Sequence, residues 1–441
     1  MSQKNISKAT EFFQIQNAVA SVIPVDEKHD FYEDFSPYRT SFQEKHIYRN
    51  LAIDSSPSNA NKKCNPLATS KKIFLSGYRG TGKTSELLKL RNAIHSTECF
   101  FTIFVDISDE ELDTNNIETV DILILMLEKL LQALEKQGAW VGDDTLVSFY
   151  KWYETRIEEV NNTESANISI EAEASASVGL LSFLKLSAKT KSQLKGTAET
   201  KVVIRRVFNQ YFSDFVTKFN EFILHVKSQL KDANKYEDIL FIIDGFEKIG
   251  TLADRKKILL DDANKFTLIQ SHMIITLPVE LLNQTNRLPV GATKLHLPLI
   301  DLEIENAYTS MKSFILKRVD EKLFNDSAVL DKIIKYGAGH PRQTLQIITR
   351  AYYNADEHCL DVKSVEDGIK EMGKEMAVLD EEEMRVIFEI KNGGYPPASD
   401  TYLGLKAKNI LLDYTDEKID VINPILEAYA LFQKRLDNLN A

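Results

Sequence analysis

The run Lys71-Lys72-Ile73-Phe74-Leu75-Ser76-Gly77-Tyr78-Arg79-Gly80-Thr81-Gly82-Lys83-Thr84 passes from an apolar strand into a glycine-rich loop. A helical pattern of Ser85, Leu87, Leu88 and Leu90 follows directly. Gly77 to Thr84 fit the phosphate-binding pattern of glycine, four residues, then Gly-Lys-Thr. The glycines let the backbone wrap until several N–H groups face one anion, and the next helix adds its positive end. The expected ligand is ATP with Mg2+, cradled by Gly77, Tyr78, Arg79, Gly80, Thr81, Gly82, Lys83, Thr84 and Ser85. In that pattern Lys83 reaches the β- and γ-phosphates and the Thr84 hydroxyl binds the metal.

Such a loop needs a carboxylate elsewhere, because magnesium takes oxygen ligands in near-octahedral geometry. Ile239-Leu240-Phe241-Ile242-Ile243-Asp244 puts an acid at the carboxyl end of a buried strand, the edge where parallel sheets bind ligands. Asp106, which closes FFTIFVD, is the competing acid, but that run follows the loop helix and reads as the neighbouring strand. Asp244 is therefore expected to join Thr84 at the metal. Hydrolysis also needs a group to orient water, and Glu247 is the candidate. Thr276, closing HMIIT, is placed to sense the γ-phosphate, and Arg342, in Gly339-His340-Pro341-Arg342, to fold back onto the phosphates.

Around the loop, CFFTIFVD (99–106), EDILFIIDG (237–245), HMIITLP (272–278) and KLHLPLI (294–300) are nearly continuous apolar runs. Runs of that kind read as buried parallel strands. Helical stretches at 119–136, 144–160 and 203–230 alternate with them, giving an α/β fold around a parallel sheet. Residues 163–200 differ. Ile168, Ile170, Ala172 and Ala174 alternate with Ser169, Glu171, Glu173 and Ser175, which predicts an inserted β-hairpin. Its tip is Val178, Leu180, Leu181, Phe183 and Leu184, and Glu171 and Glu173 face Lys185, Lys189 and Lys191 of the returning arm. So large an apolar tip is expected to dock on another subunit or partner, the alternative being that it folds back on the core. The expected division is a lead-in at 1–70, a core at 71–300, a helical lid at 301–374 and a module at 375–441 holding a short LLDYTDEKIDVI hairpin.

Composition narrows the field. The 441 residues are 43% hydrophobic and 27% charged, an ordinary globular balance. The net charge of −11 argues against a protein that mainly coats nucleic acid, whose affinity comes from Lys and Arg on phosphates. Cys64, Cys99 and Cys359 show no metal spacing and read as incidental thiols. The eight histidines are scattered, without metal or triad spacing. Ile122–Leu127 is far shorter than the roughly 18 apolar residues of a membrane span, and the first thirty residues lack an export pattern. The expectation is a cytoplasmic protein with no membrane partner.

The GYRGTGKT loop, ILFIIDGFEK, the MIITLP strand, the GHPR turn and the winged-helix-like tail together resemble the AAA+ and STAND class of P-loop ATPases. DGFEK is similar to an Asp-Gly-Leu-Asp variant of the STAND branch, and GHPR to its Gly-x-Pro turn. The resemblance implies that Pro341 packs near the adenine, Arg342 is a second sensor, and Tyr32 to Arg39 close over the base. It implies an arginine finger from a neighbouring subunit, for which Arg287 in NRLPVGA is the best match. It departs where a glutamate normally follows the magnesium aspartate: Gly245 stands there, favouring slow hydrolysis. The implied function is an ATPase switch that forms a homo-oligomer and controls a separate effector protein, in the manner of bacterial antiviral defence or stress systems. The rival is a DNA-binding loader or motor using the tail or the basic arm Lys185–Lys195. Against it, Asp380 to Glu383 make the tail acidic where a DNA-reading helix is basic. A metabolic kinase is disfavoured by the long helical extension.

Overall fold

The computed structural model describes residues 6–439 except 21–22, 40–41, 43, 55–63, 66, 96–97, 109–110, 139–143, 163–178, 234 and 357. Five strands, β1 (Lys72–Gly77), β2 (Phe100–Asp106), β3 (Asp238–Asp244), β4 (His272–Pro278) and β5 (Thr293–Leu297), form one sheet in the order β2-β3-β4-β1-β5. Every pairing is parallel. Successive side chains point to opposite faces, so both faces need cover. Ile239, Phe241 and Ile243 of β3 join a core with the helix Thr119–Gln137. Leu240 and Ile242 turn instead to Leu87, Leu90 and Ile94 of the loop helix Lys83–His95. One expectation fails: β2 is not the neighbour of the loop strand. It pairs with β3 at the sheet edge, while β4 inserts between β3 and β1.

The inserted segment is helical where it is described. Leu180–Gln193 is a helix, not the returning arm of a hairpin, and it is followed by Ala198–Gln210 and Phe212–Asp232. The expected single helix at 203–230 is thus two, meeting at Tyr211. Phe183, Leu186, Ser187 and Thr190 are buried at helical spacing, and that period wins over the lysine pattern. Lys191 pairs with Glu111 at 2.6 Å and Glu128 at 3.0 Å. The pairing expected with Glu171 and Glu173, and the whole first arm, 168–175, lie outside the described residues. The tip expected to dock on a partner is split: Phe183 is fully buried within the chain, while Leu181 is exposed.

Beyond β5 the helices Ala307–Leu316, Ser327–Gly337, Pro341–Asn354 and Val362–Met376 share a core of Ile315, Leu330, Ile334, Ile348 and Val365. The last part, with helices Glu381–Lys391 and Asp400–Ala407, packs around Met384, Ile387, Leu403 and Phe432. Its strands β6 (Leu411–Leu412) and β7 (Val421–Ile422) form the short antiparallel pair that LLDYTDEKIDVI predicts. Cys64 and Cys99, expected as incidental thiols, form a disulfide with Cα atoms 5.8 Å apart. A bridge between Ile53 and Cys64 brings the amino-terminal segment to the entry of β2, where Cys99 lies. Among the described residues no helix is long and apolar enough to cross a membrane.

Candidate functional site

The site is built at the carboxyl ends of β1, β3 and β4. Gly80 has φ of +95° and Gly82 +92°, backbone that side chains other than glycine rarely adopt. These turns throw the loop's carbonyls outward, and each finds a donor. Lys83 Nζ donates to Gly77 O at 2.8 Å and Tyr78 O at 2.9 Å. His340 Nε2 reaches Arg79 O at 3.1 Å, the Arg342 backbone N–H donates to Gly80 O at 3.3 Å, and Arg39 Nη2 donates to Thr81 O at 2.6 Å. The first-turn N–H groups of the helix Lys83–His95 have no acceptor within the helix and carry its positive end.

Beside the loop, Thr84 Oγ1 donates to Asp244 Oδ2 at 2.6 Å. Asp244 is fully buried, and its Oδ1 has no partner. Burial pushes this carboxyl up to about 6, with Glu247 adding to the rise and Thr84 and Lys83 opposing it. Thr276 Oγ1 and Glu247 Oε2 are also buried and unpartnered. Burial opposes ionisation of Glu247, yet Lys83 and Lys248 hold it below the usual range. Asp106, the competing acid, is paired with Lys248 at 2.9 Å. No cluster of three or more His, Cys, Asp or Glu suits a metal among the described residues. Oxygen donors of the kind Thr84 and Asp244 supply suit magnesium, which seldom takes an all-protein cage. The orphaned Oδ1 is the observation that fits it.

Gly245 explains the departure after Asp244. Its φ is +104°, and a Cβ there would lie 2.3 Å from the Ile107 carbonyl oxygen. A glutamate does not fit at this position. The nearest acid beyond it, Glu247, sits on the short 3-10 turn Phe246–Lys248.

The lid turn meets the loop from the other side. Pro341 is buried at the first turn of Pro341–Asn354, which suits its fixed φ. Arg342 Nε is buried without a partner, and Gly80 lies so close that a Cβ there would be 2.6 Å from the Arg342 Cβ. Tyr32 to Arg39 bridge the loop helix and the lid: Asp34 pairs with Lys89 at 3.1 Å, while Glu33 accepts from Ser310 and Ser313. Ser85 Oγ accepts from the Val25 backbone N–H. Arg287 lies away from this gathering, half-exposed and ion-paired with Asp261.

Three features have no signal in the motif. Arg39 belongs to a segment expected over the base, yet its guanidinium grips the phosphate loop. His340 is buried, and its Nδ1 accepts from the Gln343 N–H, which leaves the proton on Nε2 to donate to Arg79 O. Burial and the nearby Arg342 charge push it down to about 3, so it stays neutral. Tyr78 is fully buried against Leu412 and Tyr414, tying the loop to the last part of the chain.

No protein-family profile and no curated protein matches this chain. Among solved structures it is similar to Cdc6p from Pyrobaculum aerophilum, at 13% identity and a TM-score of 0.35 over 95% of this chain and 100% of that one. The Orc1 protein of Aeropyrum pernix, solved in complex with DNA, aligns at 11% identity and 0.32 over 96% and 85%. A Walker-type ATPase of Pyrococcus abyssi aligns at 13% and 0.38 over 90% and 98%.

Proposed function

We propose that this chain is an ATP-binding P-loop ATPase of the AAA+ class that acts as a slow switch. The single observation that carries the reading is the pairing of an anion cradle with an unfilled oxygen. The loop turns its carbonyls outward onto donors, while Asp244 presents a buried, unpartnered Oδ1 beside the Thr84 hydroxyl. Lys83 holds the loop's own carbonyls and would exchange them for the β- and γ-phosphates. Thr84 and Asp244 would hold magnesium, whose positive charge would offset negative charge developing on the transferred phosphoryl group. Glu247 would orient water, Thr276 and Arg342 would sense the γ-phosphate, and Pro341 would border the base. Gly245 admits no side chain, so no glutamate directly follows Asp244, and this supports slow turnover.

The role as a homo-oligomer that controls a separate effector, in a defence or stress system, goes with the resemblance to the STAND branch, as does a finger at Arg287. The test is calorimetric titration of Mg-ATP into wild type and Lys83→Ala, with size-exclusion mass measured in each. Wild type is expected to bind and change mass with ATP, and Lys83→Ala to lose both while keeping its melting temperature. Equal affinity in the two proteins would end the proposal.

A further inference from the structure

A peptide unit points its C=O and its N–H in opposite directions, so turning an amide toward an anion sends the preceding carbonyl the other way. A buried carbonyl without a donor is unfavourable, and the loop then relaxes by rotating the unit back. The carbonyl of Arg79 belongs to the same peptide unit as the Gly80 amide, and that of Thr81 to the same unit as the Gly82 amide. The donors to those two carbonyls come from elements distant in sequence. His340 approaches from the lid turn, and Arg39 from the amino-terminal segment.

Both side chains are built for this contact. His340 is 1% exposed, and its Nδ1 is occupied by the Gln343 N–H, which fixes Nε2 as the donor. Arg39 is also 1% exposed, with Nη1 on Pro298 O at 2.8 Å and Nη2 on Thr81 O at 2.6 Å. No salt bridge to Arg39 is seen among the described residues, and its Nε has no partner. The buried Glu86 carboxylate offsets part of the guanidinium charge, and an anion held in the loop would offset more.

We infer that His340 and Arg39 are positioning residues for the phosphate-binding loop. By capping the carbonyls of Arg79 and Thr81 they hold the Gly80 and Gly82 amides toward the phosphates. Nucleotide affinity thereby depends on the lid and the amino-terminal segment both being docked. This rests on the ATP-binding reading above.

Four variants of the full chain separate the roles. His340→Asn keeps an N-cap acceptor for Gln343 but is too short for Arg79, whereas His340→Gln has the reach. Arg39→Met removes both donors and the charge, and Arg39→Lys keeps one donor and the charge. Mg-ATP and pyrophosphate, which has no base, are titrated into each, and amide exchange of the loop peptide is followed. His340→Asn and Arg39→Met are expected to weaken both ligands about tenfold and speed loop exchange, with His340→Gln and Arg39→Lys recovering most of the loss. Unchanged pyrophosphate affinity in His340→Asn and Arg39→Met, with binding still dependent on Lys83, would overturn the inference alone. Binding that ignores Lys83→Ala in every protein would overturn the ATP reading with it.

Discussion

Thr84 and Asp244 meet through a 2.6 Å hydrogen bond although 160 positions separate them in the chain. Thr84 opens the helix after β1, and Asp244 closes β3, with β4 between the two strands. The contact is therefore made across the top of the sheet, over the strand that carries Thr276. Burial of an acid so placed, with Glu247 beside it, pushes its carboxyl up to about 6.

Asp244→Asn and Glu247→Gln are expected to separate binding from turnover. The first removes the charge beside Thr84 and should weaken magnesium-dependent ATP binding at least tenfold, with little change in binding without metal. The second should leave binding within about twofold and slow hydrolysis by 10²–10⁴-fold, the usual contribution of a positioned acid or base. Binding constants with and without Mg2+, together with phosphate release, check both. Equal phosphate release from wild type and Glu247→Gln would remove Glu247 from that role.

Gly245→Ala tests the geometry behind the missing glutamate. The added Cβ meets the backbone of Ile107 at 2.3 Å in left-handed backbone, and neither can move cheaply, since Ile107 N–H is bonded to Asp244 O at 2.7 Å. The expected loss is about 2–4 kcal/mol in urea unfolding, from backbone strain and overpacking together. A variant as stable as wild type would mean that the turn after Asp244 has another conformation.

His296 predicts a pH effect. Both ring nitrogens are buried without partners, and burial pushes the ring down to about 4. A base whose folded pKa lies below its unfolded value near 6.5 contributes stability that is present above 6.5 and lost as pH falls toward 4. The slope there is about 1.4 kcal/mol per pH unit. His296→Leu, similar in size and free of polar atoms, should match or exceed wild type by about 1 kcal/mol at pH 7. At pH 5 its advantage should grow by about 2 kcal/mol, read from unfolding curves at the two pH values. A constant difference would show that His296 titrates normally.

The five strands were legible because a parallel sheet covered on both faces demands unbroken apolar runs, and little else in a sequence produces them. That Thr84 of the loop would meet Asp244 was legible because a phosphate- and metal-binding motif restricts the residue types and their places. The donors Arg39 and His340 were not, since a carbonyl accepts from any suitably placed N–H and imposes no motif. The order of the strands was hidden too: nothing local in HMIITLP says that it inserts between β1 and β3. The Cys64–Cys99 pair depends on where the chain returns, which spacing does not encode.

The insert went wrong for a different reason, and it yields the sharpest mutational contrast. Alternation in 168–175 predicts a strand, and continuing it as a hairpin groups Leu181 and Phe183 together in one apolar tip. In a helix, residues two apart diverge by about 200°. Phe183 accordingly turns inward, with its ring 5.0 Å from Phe149 and 5.5 Å from Tyr153, while Leu181 is 54% exposed. Phe183→Ser removes a buried aromatic ring and leaves a hydroxyl in its cavity, so a loss of about 3–5 kcal/mol is expected. Leu181→Ser should stay within about 0.5 kcal/mol of wild type, as exposed substitutions do. Thermal unfolding of the two single variants decides the matter. Comparable losses at both positions would mean that Leu181 is buried alongside Phe183, against the helix Leu180–Gln193.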